Sequence, residues 1–269
     1  MRRQRFTIAG ALWLEFPIRH FLVGGTGVAK FLEKPDTRLP LRNRSRRATC
    51  DIAGIPSISK IHQRRSRKQV NPRPKLLYVM TNLGGDVRYL NFHMYPDIAF
   101  ARFQREVVKA CVQPRDRPQV FVKIYSKSGP RCDLLANPIV ETMTDLKCLG
   151  FDIEWDATTP FRDLAVEADT IVTDVPHTCL LEAVATEAQV FTLADRRWMR
   201  YSPQALELLS RRATVTESFE DCIHEIRSAN LGRAFAKHDD AYLRAYGLNT
   251  LEGDEVEQGV QLIEKLIRG

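Results

Sequence analysis

The sequence predicts an α/β protein built on a doubly wound parallel sheet. Three observations lead there. From Pro74 onward, short apolar runs rich in β-branched residues alternate with longer amphipathic segments, the pattern of strands joined by helical crossovers. Residues 169–193, D-T-I-V-T-D-V-P-H-T-C-L-L-E-A-V-A-T-E-A-Q-V-F-T-L, read as one complete strand–loop–helix–strand unit. Charge also divides the chain. Residues 1–75 hold 18 Lys and Arg against 4 Asp and Glu, a net of +14, whereas the remainder holds 22 against 29, a net of −7.

The elements follow in order. Residues 75–80 form an apolar strand, and 81–88, T-N-L-G-G-D-V-R, a polar glycine-bearing loop at its carboxyl end. An amphipathic helix is expected over 98–112, a strand over 119–124, a helix within 137–149 and a strand over 152–155. A helix starts at 160–167, with Thr158 or Thr159 as its cap and Asp163 in its first turn. The central unit comes next: a strand over 170–173, a break at Asp174-Val175-Pro176, a helix over 179–186 and a strand over 189–193. Helices at 205–212 and 219–228 flank a short strand at 213–216, and helices at 234–246 and 255–267 close the chain.

The first 73 residues read differently, and the boundary is placed at 73/74. Residues 34–73 carry Arg42, Arg44, Arg46, Arg47, Arg64, Arg65, Arg67 and Lys68 with little periodicity, so they are expected to order themselves poorly. Gly24-Gly25-Thr26-Gly27 is glycine-rich but departs from the dinucleotide fingerprint. No following strand with an acidic residue is evident to complete a βαβ unit, so it reads as a turn, within residues 18–32 that could be one strand, this turn and a short helix. The basic segment suits an anionic membrane surface or a solvated linker. It has no aromatic interleaving, which disfavours nucleic acid as a partner.

Composition sets limits. No apolar run approaches the ~20 residues of a membrane span, and no small-residue cleavage site marks a signal peptide. The six cysteines contain no C-x-x-C pair, which points to buried thiols in a cytoplasmic protein and gives no reason to expect a metal.

Chemistry concentrates in three loops at the carboxyl edge of the expected sheet, around Thr81–Arg88, Lys123 and Asp174–Thr178. Ligands of open parallel sheets bind at that edge. A helix N-terminus there favours phosphate. His177 and Thr178 would add donors, and Glu182, one turn on, could accept from a ribose hydroxyl. Arg88 and Lys123 are candidates to neutralise a diphosphate. The same residues also suit an ordinary strand–helix unit in which Thr178 caps the helix and Asp174 is a turn residue.

The run T-D-V-P-H-T-C-L-L-E-A-V-A-T-E-A-Q-V-F-T-L resembles the donor-binding segment of GT-B glycosyltransferases, most of all the CDP-glycerol glycerophosphotransferase and surface-polysaccharide biosynthesis group. The opening L-L-Y-V-M-T-N-L-G-G-D and the terminal Y-L-R-A-Y-G-L-N-T-L-E-G-D-E-V-E-Q-G-V-Q-L-I-E-K-L are similar to the first strand and closing helices of that group's C-terminal domain. The resemblance covers 74–269, and it makes 1–73 the end of an incomplete acceptor domain plus linker. It implies a donor site of Thr81, Gly84, Arg88, Lys123, Asp174, His177, Thr178 and Glu182, with Asp174 shaping the loop and His177 as the acid–base candidate. The implied reaction is transfer of a sugar or polyol phosphate from a nucleotide-activated donor to a glycan or lipid-linked acceptor, without a separate cofactor. One departure stands out. The group's second strand ends Lys-Pro-His-Pro, whereas this chain reads Lys123-Ile124-Tyr125-Ser126. The lost histidine keeps open a nucleotide-binding or scaffold protein without catalysis, and the shared fold keeps open a UDP-sugar 2-epimerase-like isomerase.

Overall fold

The computed structural model describes residues 20–33, 49–65, 73–81, 97–114, 117–124, 138–176, 178–197, 201–230, 239–248 and 255–268. Its contacts divide the chain into one unit of Met1–Ser59 with Leu243–Gly269, and a second of Lys60–Tyr242. In the first, β1 (His20–Val23) and β2 (Thr49–Ile52) pair in parallel, His20 opposite Thr49 and Val23 opposite Ile52, with α1 (Thr26–Glu33) between them in sequence. The strand and short helix around the glycine turn form as the sequence suggests, but a strand carrying Asp51 does follow, which corrects the expectation that none would. T-C-D-I is too short, and too close to the arginine run, to stand out from it. The expected disorder is likewise corrected where α2 (Pro56–Arg64) forms, with Ile58 and Ile61 buried. Their three-residue spacing is a helical signal that the surrounding charge obscured.

The glycines of that turn serve close packing. A Cβ on Gly25 would lie 2.5 Å from the carbonyl oxygen of Ala245, and one on Gly27 would lie 2.7 Å from the Tyr246 ring. The same returning segment takes a backbone hydrogen bond from Ile55 N to Gly247 O at 2.8 Å.

The second unit holds six parallel strands: β3 (Lys75–Met80), β4 (Gln119–Ile124), β5 (Ile153–Asp156), β6 (Thr170–Thr173), β7 (Gln189–Leu193) and β8 (Thr214–Thr216). They are ordered β5-β4-β3-β6-β7-β8. Counted in order of appearance this is 3-2-1-4-5-6, a doubly wound Rossmann-like arrangement that reverses direction between β3 and β6. The connecting helices are α3 (Asp97–Cys111), α4 (Pro138–Cys148), α5 (Phe161–Ala165), α6 (Thr178–Val184), α7 (Pro203–Ser210) and α8 (Phe219–Ser228). After them come α9 (Ala241–Tyr246) and α10 (Glu255–Arg268). The central strands are apolar on both faces, as a sheet covered on both sides requires. On one face Tyr78, Val122, Val172 and Phe191 pack with Phe100, Phe103, Met143 and Ile226. The Phe103 and Phe219 rings stack there at 4.2 Å between centroids.

Local chemistry sets the helix starts. Ser218 caps α8, its Oγ accepting from Asp221 N at 3.0 Å. The cap expected of Thr158 or Thr159 on α5 is absent. Pro160 holds that position without a side-chain bond, and both threonines turn back to donate to Asp156.

Where the chain enters and leaves the second unit, charges gather. Asp240 Oδ2 lies 3.2 Å from His62 Nε2, Asp240 Oδ1 accepts from Arg65 Nη1 at 2.7 Å, and Arg65 Nε lies 2.6 Å from Glu187 Oε1. The sequence showed no acidic partner for His62, because that partner is 178 residues away. These bonds, His62 first and then Arg65, hold the Asp240 carboxyl well below the usual carboxylate range. A depressed carboxyl contributes stability above its unfolded value near 3.9, and that contribution fades as pH falls toward the folded value. Asp240→Asn should therefore cost ~2 kcal/mol in urea unfolding at pH 7, and the difference should shrink below about pH 4. A difference that persists at pH 3 would refute this reading. Gly25→Ala should cost about 1–3 kcal/mol by overpacking, measured in the same way.

Candidate functional site

The reversal between β3 and β6 sets Val79 beside Thr173, so the two chains leave the sheet side by side at Thr81 and Asp174. Asp174 is 1% exposed. Its carboxylate accepts from Thr81 N at 2.9 Å, from the Thr81 hydroxyl at 2.5 Å, from the Tyr78 hydroxyl at 3.0 Å and from Gln104 Nε2 at 2.8 Å. Gln104 Nε2 also donates to Thr81 O at 2.6 Å, so one amide group ties both exits together. Burial, with Asp174 beside it, pushes the Tyr78 phenol well above its ordinary range. Thr81 and Asp174, expected among the donor-binding residues, are thus brought together and buried at the carboxyl edge, and their polar atoms point into each other.

Lys123 is buried near the end of β4, with Nζ 3.8 Å from Asp156 Oδ2. Burial lowers its affinity for a proton, while Asp156 and then Cys179 oppose that shift. Thr178 opens α6 and is exposed. Glu182 is half-buried one turn further on, where burial raises its pKa and Arg162 of α5 opposes the rise. Gly84, Arg88 and His177 lie outside the described residues.

Further along the same edge, Thr173 Oγ1 donates to Thr192 Oγ1 at 2.9 Å and Thr216 Oγ1 to Thr192 O at 3.2 Å. Asp195, fully buried, accepts from Arg197 Nη2 at 2.7 Å and Nε at 3.0 Å, and these bonds hold its carboxyl below the ordinary range.

Tyr78, Gln104, Asp156 and Asp195 escaped the sequence reading. Gln104 left a signal: it is a polar residue on the stripe Phe100, Phe103, Val107, Val108, Cys111 that α3 buries, and a buried polar group implies a partner. The Tyr78 hydroxyl left none, since tyrosine is ordinary in a strand.

No protein-family model matches the chain, and no curated protein matches it. Among the described residues no helix is long and apolar enough to cross a membrane, and no group of three or more His, Cys, Asp or Glu is placed to hold a metal ion.

The bonds around Asp174 form one network, so its parts should not act independently. Asp174→Ala should cost ~3 kcal/mol and Gln104→Leu ~1–2 kcal/mol. The double variant should fall short of their sum by ~1 kcal/mol in a denaturation cycle. Strict additivity would contradict a shared network.

Proposed function

We propose that the carboxyl edge of the six-strand sheet binds a nucleotide-activated donor, and that the protein is a glycosyltransferase or glycerophosphotransferase of surface polysaccharide synthesis. The observation that carries this reading is the strand order. The direction reverses between β3 and β6, and such a reversal opens the crevice where doubly wound sheets take their ligands. Lys123, at the neighbouring exit, is a cation that would face developing negative charge on a leaving nucleoside diphosphate. Thr178 on the exposed start of α6 supplies a hydroxyl at the same edge. His177 is the acid–base candidate, its side-chain type being suited to proton transfer near neutral pH. The acceptor would be a glycan or lipid-linked glycan.

Binding without catalysis is a second reading, and Asp174 favours it. The one carboxylate set centrally beneath the crevice is saturated by four internal donor groups, which leaves it neither to activate a hydroxyl nor to hold a metal.

Calorimetric titration of the full chain with CDP, UDP, GDP and their sugar or glycerol conjugates separates these outcomes. Micromolar affinity for one nucleotide is expected, weakened by ~1–3 kcal/mol in Lys123→Met and Thr178→Ala. Turnover of the matching conjugate selects the transferase, and binding with no turnover selects the second reading. A well-folded chain that binds none of these nucleotides would rule out both.

A further inference from the structure

At the opposite, amino edge of the sheet, a cleft of about 280 Å³ opens between the starts of β7 and β8 and the end of α8. That is near the lower end of the ~300–1,000 Å³ of small-molecule sites. Gln189, Phe191, Arg212, Glu225 and Asn230 are among its lining residues. Thr170 pairs with Gln189 across β6 and β7. Thr170 and Gln189 thus form a row across two neighbouring strands, and Arg212, two residues before β8, lines the same cleft as Gln189.

That row is not satisfied internally. Thr170 Oγ1, Gln189 Oε1 and Arg212 Nη1 are all buried and have no hydrogen-bond partner among the described residues. Arg212 is 2% exposed. The rest of its guanidinium is spent on the chain that leaves α6, Nε donating to Val184 O at 3.1 Å and Nη2 to Thr186 O at 2.6 Å and Ala188 O at 3.0 Å. Burial, then the nearby Arg65, pull Arg212 down to about 10, so it stays charged at neutral pH. All its hydrogen-bonded partners are neutral carbonyls. Natural structures seldom leave buried polar atoms unmatched, and two on residues that line one cleft, Gln189 and Arg212, call for a ligand that matches them.

We propose that this cleft is a second binding site, separate from the donor crevice, for a small 2-hydroxy or 2-amino carboxylic acid. The carboxylate takes Arg212 Nη1 as its donor, since a guanidinium edge fits a carboxylate oxygen. The adjacent hydroxyl or ammonium of the ligand donates to Gln189 Oε1. Phe191 gives the carbon skeleton an apolar wall. Exposed Glu225 stands at the mouth and favours a single negative charge over the two of a phosphate. Gln189 is only half-buried, so its side chain yields to admit the acid.

The test is amide chemical-shift mapping of the full chain with L-lactate and L-alanine, using propionate (no donor) and lactamide (no charge) as controls. Lactate or alanine should shift the amides of Gln189, Val190, Ala213, Thr214 and Ala229 while leaving Thr81 and Asp174 unmoved. Propionate should bind severalfold more weakly, and lactamide not at all. Arg212→Lys should lose at least tenfold in affinity. Should that variant not fold, Gln189→Leu carries the test and should erase the preference for lactate over propionate. Unmoved amides in the wild-type chain, controls that match the hydroxy or amino acid, or a folded Arg212→Lys or Gln189→Leu variant that behaves as wild type would each overturn the proposal.

Discussion

The second unit depends on one buried carboxylate. Asp174 sits where the sheet reverses, sealed from water, and its attraction for four donor groups is what draws the exits of β3 and β6 together. A buried anion with no cation partner among the described residues is tolerated when hydrogen bonds replace its hydration. Tyr78, Thr81 and Gln104 supply them. The cost is that each of these residues becomes hard to exchange. Tyr78 must occupy its position in the strand, Thr81 must end it, and α3 must present an amide at Gln104 on an otherwise apolar stripe. In this sense the position of α3 against the sheet, and the point at which β3 ends, are set by electrostatics as much as by packing.

The two edges of the sheet are built on different terms. At the carboxyl edge most buried polar groups are matched to one another: Asp174 to its donors, Asp195 to Arg197, and Thr173 and Thr192 to each other, with Gln104 Oε1 left over among the described residues. A ligand proposed there would meet a floor whose described polar bonds are largely made already. At the amino edge the matching is incomplete, and Arg212 and Gln189 hold unspent polar atoms beside a cleft. The first edge favours a ligand held from above, and the second a small one drawn into the wall.

The fold was legible in the sequence because the strands announce themselves. K-L-L-Y-V-M, Q-V-F-V-K-I and Q-V-F-T-L are apolar on both faces, and the helices between them carry their own period, so element order followed directly. The order of strands within the sheet was not legible, since nothing in a strand states its neighbour. The site was only partly legible. Lys123, Thr81 and Asp174 were found at the strand ends, but local sequence could not reveal that Asp174 is consumed by Tyr78 and Gln104, residues 96 and 70 positions away. His62 with Asp240 failed to show for the same reason. In the first unit β2 and α2 were missed because charge masked a short apolar period at Ile52, Ile55, Ile58 and Ile61.

The central claim is that a nucleotide binds above the Thr81–Asp174 floor. Amide hydrogen exchange of the full chain, with and without a saturating nucleoside diphosphate, tests it most directly. The account predicts slowed exchange at Thr81, in the first turn of α6 from Thr178, and at the end of β4, with Gln189 and Arg212 unchanged. Protection confined to the amino edge, or no protection anywhere in a folded chain, would contradict it.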